Sequence, residues 1–137
     1  LGFISEIKTV TKLQERRGLA VVGDSIKFDP EVLNEQGDYW ILANGAEINI
    51  AISIENQGNV TEKDVNIIVT YKSEDNVADE KSYTITSIDP SNQEIVTFSG
   101  FTAYPGRKCE IEITAGPVPG EVLMTNNSLI IKFMMEN

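Results

Sequence analysis

Ile48, Ile50, Ile52 and Ile54 occupy every second position of a segment whose intervening residues are mostly polar or small, and the pattern stops at Asn56-Gln57-Gly58-Asn59. Period two is the spacing of a β-strand with one buried face, since successive side chains point to opposite sides of a sheet. Four isoleucines on one face need a second apolar layer to cover them. A further motif, Gly116-Pro117-Val118-Pro119-Gly120-Glu121 running on to Thr125-Asn126-Asn127-Ser128, stands between two alternating segments near the C-terminus. It reads as a structured turn closing the last hairpin, because proline presets φ and glycine and asparagine tolerate left-handed backbone.

From Gly23 onward the same period recurs, and strands are expected at 25–29, 47–55, 65–72, 82–85, 94–99, 108–114 and 129–134. Turn chemistry separates them, including Asp29-Pro30, Asn44-Gly45, Asp89-Pro90-Ser91-Asn92 and Tyr104-Pro105-Gly106. Seven short strands at this spacing predict an all-β, antiparallel sandwich. Val65/Ile67/Val69/Tyr71, Val96/Phe98, Cys109/Ile111/Ile113 and Leu129/Ile131/Phe133 supply the facing layers of its core.

The N-terminal stretch is different. Phe3, Ile7 and Val10 recur at three and four, with Lys8, Lys12 and Arg16 on another face. This spacing predicts a short amphipathic helix over 3–17 with Gly18 as its cap. The chain therefore divides into an N-terminal helical or juxtamembrane segment, 1–22, and a sandwich, 23–137. Lys8, Lys12, Arg16 and Arg17 against Glu6 and Glu15 give the segment +2, leaving −12 of the total −10 to the body. A basic stripe of this kind suits a membrane-proximal or partner-facing role beside an upstream anchor. The apolar residues Phe3, Ile4 and Ile7 equally suit weak self-association.

A net charge of −10 argues against nucleic acid as a partner, since phosphate recognition needs clustered Lys and Arg. The chain has 137 residues, 41% of them hydrophobic, enough for one core without staples, and its single cysteine excludes an internal disulfide. It begins at Leu1 without Met, which suggests a processed or excised product.

The order Ser25-Ile26-Lys27-Phe28-Asp29-Pro30, then Ile54-Glu55-Asn56-Gln57-Gly58-Asn59, then Pro119-Gly120-Glu121 and Thr125-Asn126-Asn127-Ser128 resembles the CARDB family, cell-adhesion-related domains found in bacteria. The resemblance covers about 23–133. It implies an immunoglobulin-like sandwich and a secreted or cell-surface setting. Two features depart from the family pattern: the N-terminal segment, and a long link over 31–46 that carries Tyr39-Trp40-Ile41-Leu42 and the only tryptophan.

Chemistry-bearing residues are sparse. The chain has no histidine and no phosphate-binding glycine loop, and Cys109, in phase with Ile111 and Ile113, is expected to be a buried, inert thiol, so no catalytic residue is assigned. Glu74-Asp75-Asn76 with Asp79-Glu80 lacks the spacing of a calcium loop and reads as a solvated acidic turn; no metal or cofactor is expected. Asn56, Gly58, Pro119, Gly120, Asn126 and Asn127 are read as structural turn residues. Asn59-Val60-Thr61 and Asn126-Asn127-Ser128 match the glycosylation sequon. Tyr39, Trp40, Ile41 and Leu42 are the binding candidates, as an inserted hairpin bearing an aromatic anchor; the competing reading has them capping an open edge and burying themselves. The function expected is a non-catalytic adhesion or protein-interaction module outside the cytoplasm, with a protein or cell-envelope partner. A structural spacer and an accessory sugar-binding domain are the alternatives.

Overall fold

A computed structural model of the chain describes residues 15–74, 76–121 and 127–137. The described residues form β1 (Leu19–Asp29), β2 (Val32–Gln36), β3 (Tyr39–Leu42), β4 (Ile48–Asn56), β5 (Glu62–Ser73), β6 (Asn76–Ile88), β7 (Gln93–Phe101), β8 (Lys108–Ala115) and β9 (Ser128–Met135). They make two sheets, one of three strands in the order β1-β4-β7 and one of six in the order β2-β3-β9-β8-β5-β6. Every expected strand is present and most are longer than expected. The number is corrected from seven to nine by β2 and β3, which form a hairpin within the long link. The ladders are antiparallel except that β3 runs parallel to β9, pairing Trp40 with Phe133 and Leu42 with Met135.

The two layers close on each other as the alternation requires. Ile48, Ile50, Ile52 and Ile54 are buried, as are Ile67, Val69, Tyr71, Ile111, Ile113 and Phe133 from the facing sheet. At about 1.5–3 kcal/mol for each fully buried large side chain, this layer dominates the energetics. An aromatic group anchors one end of it: the Phe133 ring lies 5.3 Å from Phe28 and 6.1 Å from Tyr71, and Phe28 meets Trp40 edge-on at 5.7 Å.

The helix expected over 3–17 lies mostly outside the described residues, Lys8 and Lys12 included. Its final residues are described and are not helical. Asn59 N donates to Arg16 O, Gln57 N donates to Gly18 O, and Arg17 forms a parallel bridge with Glu121. The Arg17 guanidinium also grips Glu62, at 2.7 and 3.1 Å, and that glutamate is buried. β1 begins at Leu19, ahead of the expected sandwich boundary at Gly23, so Leu19–Val22 belong to the sheet and pair with β4.

The strands carry the chain from one pole of the sandwich to the other. Arg17 and Leu19 lie beside Gly116–Glu121, where β8 ends. At the opposite pole Gly106, just before β8, donates to Met135 O. The two ends of the described chain are thus separated by the length of β8, whose eight residues span about 26 Å at ~3.3 Å each.

Candidate functional site

The turns hold the scaffold, and each does so by identifiable bonds. Asn56, fully buried, donates from Nδ2 to Val60 O at 2.8 Å and Ile88 O at 2.9 Å, while its Oδ1 accepts from Gly58 N at 2.9 Å. A Cβ on Gly58 would lie 2.3 Å from Arg16 O, so glycine is what lets the N-terminal residues cross this loop. Pro119 and Gly120, the latter at φ 72°, occupy the centre of a turn closed by Glu121 N to Val118 O. Among the described residues the Asn127 side chain meets Glu121: Nδ2 donates to the carboxylate, whose Oε1 accepts from Val118 N. Asn126 lies outside the described residues.

Tyr39, Trp40, Ile41 and Leu42 divide by strand phase instead of acting as one anchor. Trp40 and Leu42 face inward, and Ile41 is also buried, so Ile41 and Leu42 do not stand at the surface. Trp40 is half-buried against Phe28. Tyr39 turns to the outer face of the six-stranded sheet, where Lys108 Nζ sits 5.3 Å from its ring centre. Arg16 is held at the opposite pole, its backbone N donating to Asn59 Oδ1 at 2.7 Å. Arg16, the one described residue of the basic stripe, is therefore not beside the binding candidates.

What it does bring together is a groove on that outer face, of about 490 Å³, lined by Tyr39, Lys72, Glu74, Lys108, Glu110 and Lys132. Four strands contribute in register: Lys72 on β5 opposes Glu110 on β8, which opposes Lys132 on β9, and Lys108 follows two residues before Glu110. Lys72 and Glu110 approach to 3.8 Å, and Arg107 approaches Glu74 to 3.7 Å. The first pair is half-exposed, the second exposed, and both are loose, so each contributes at most ~1 kcal/mol. Sequence reasoning missed the groove because it followed the buried phase of each strand. The signal lay in the other phase, at Lys108, Glu110 and Lys132.

Cys109 supplies the groove's floor through its backbone strand while its thiol points inward, 3.3 Å from Tyr71 Oη and 3.4 Å from Arg107 O. Tyr71 in turn donates to Thr102 O at 2.9 Å. Burial pushes the thiol above its ordinary range, and burial together with the thiol contact raises Tyr71 as well. A protonated, covered thiol is a poor nucleophile. Cys109 is expected to resist a disulfide-exchange reagent in the native state and to react with one equivalent only in denaturant; stoichiometric labelling within minutes under native conditions would contradict its burial. Among the described residues no cluster of three His, Cys, Asp or Glu side chains converges to hold a metal ion.

Three strands packed against a four-stranded sheet extended by a hairpin define an immunoglobulin-like β-sandwich. The fold is that of CARDB domains. The chain matches the solution NMR structure of the CARDB domain of a Pyrococcus furiosus protein with a TM-score of 0.58 and 15% identity, over 90% of this chain and 98% of that one. It matches a crystal structure of the same domain, in complex with di-metal ions, with a TM-score of 0.57 and 12% identity, over 91% and 98%. No protein-family profile and no curated protein matches the sequence.

Proposed function

We propose that the domain is a non-catalytic adhesion module outside the cytoplasm, which binds a cell-envelope component through the outer face of its six-stranded sheet. The observation that carries this reading is the groove across β3, β9, β8 and β5: a concave surface lined by charged side chains on hydrogen-bonded strands. Such a surface is prepared for a macromolecule at little cost in ordering, since the strands are rigid before binding. The CARDB fold supports the setting, as the family takes its name from cell adhesion. Beads carrying the 137-residue chain should be retained on an envelope fraction from the source cells and not on a cytosolic fraction, and protease applied to intact cells should remove the full-length protein.

A spacer role is favoured by a different observation, the opposite poles at which the described chain begins and ends. A spacer would leave the beads unretained while the protease result stood. Loss of both outcomes would remove the extracytoplasmic reading altogether.

A further inference from the structure

We propose that the groove takes a uronate-bearing polysaccharide, with Lys108 and Lys132 holding a carboxylate, Glu110 and Glu74 accepting from sugar hydroxyls, and Tyr39 contacting a ring. The proposal rests on the adhesion reading and names the chemistry of its partner. Of the 11 Lys and Arg residues, four are Lys8, Lys12, Arg16 and Arg17, which leaves seven in the sandwich proper. Lys72, Lys108 and Lys132 line this groove, and Arg107 reaches it through Glu74. More than half of the sandwich's cations thus gather at one place on a chain of net charge −10. Concentrating positive charge in a concave site of an acidic protein focuses an attractive field there while the rest of the surface repels anions.

Two of these cations, Lys108 and Lys132, have no carboxylate partner among the described residues, although Lys108 rests against the Tyr39 ring. Lys132 opposes Glu110 and Lys108 opposes Met134, so the two lysines are diagonal neighbours across β8 and β9. Diagonal positions lie about 7–8 Å apart, close enough for two flexible ammonium groups to share one carboxylate. The glutamates select among anions. A polyphosphate presents acceptors only and would meet repulsion from Glu74 and Glu110, whereas a sugar offers those carboxylates hydroxyl donors.

Calorimetric titration of the 137-residue chain with an oligogalacturonate, a neutral maltooligosaccharide and polyphosphate tests this. The oligogalacturonate should bind and the neutral sugar should not, and raising salt from about 50 to about 300 mM should weaken binding several-fold, because exposed charges are screened. Lys108→Glu with Lys132→Glu should weaken it by about tenfold or more. Both lysines are exposed, so the fold should survive, as circular dichroism would verify. Lys27→Glu, a single charge reversal of the same kind on the exposed face of the three-stranded sheet, should have no such effect. Absence of oligogalacturonate binding, equal loss in the Lys27 variant, or tighter binding of polyphosphate would each overturn the proposal. Envelope-bead binding that persists in the double lysine variant would remove this groove assignment and leave the adhesion reading in place.

Discussion

Phe133→Ala is expected to lower stability by about 3–5 kcal/mol, the range for removing a buried aromatic ring from a packed core. The ring is fully buried and touches both layers: Phe28 belongs to the three-stranded sheet, Tyr71 to the six-stranded one. Its removal leaves a cavity whose neighbours are fixed by two separate ladders, so collapse into the space is restricted. Urea unfolding followed by the fluorescence of Trp40, which packs on Phe28, should show a lower midpoint with an unchanged slope. A loss under about 1 kcal/mol would mean that the layers close without this contact.

Asn56→Ala should cost about 2–4 kcal/mol by a different mechanism. The alanine strands the carbonyls of Val60 and Ile88 and the amide of Gly58 without their side-chain partner, and an unmet buried polar group costs about 1–3 kcal/mol. Asn56→Asp separates donor from acceptor. An aspartate could still accept from Gly58 N but could not donate to the two carbonyls, so it should recover only a small part of the loss. Full recovery by aspartate in the same urea experiment would show that the Nδ2 bonds contribute little.

These two residues also mark what the sequence made legible. The phase of Phe133 with Leu129 and Ile131 places it in the core, and the position of Asn56 at the end of the isoleucine strand marks a turn. Both readings rest on short-range periodicity, which one strand can express alone. β2 could not be read that way. Val-Leu-Asn-Glu-Gln over Val32–Gln36 is exposed throughout, so no buried phase exists to reveal it. Only Gly37, at φ 60° in the two-residue link to β3, signalled the hairpin. Leu19-Ala20-Val21-Val22 is apolar without alternation, which hid the start of β1. The groove is harder still, since Lys72, Lys108 and Lys132 converge only when β5, β8 and β9 are laid side by side. The choice of β9 as the parallel partner of β3 follows from tertiary position, with no local sequence to announce it.

The opposite poles of the sandwich have a mechanical consequence. Tension applied through Arg17 at one pole and Asn137 at the other would pull β1 and β9 along their own axes, in opposite senses. The hydrogen bonds joining β1 to β4 lie across that axis, so they would be loaded in shear, all together, instead of being peeled one after another. The bulge between Val22 and Lys27 splits them into two blocks that share the load, and the Arg17–Glu62 grip lies ahead of the first. On the other side β9 is flanked by β8 and, at its pulled end, by β3. The hairpin that lengthens the sheet thus also braces the strand from which the domain would be tugged.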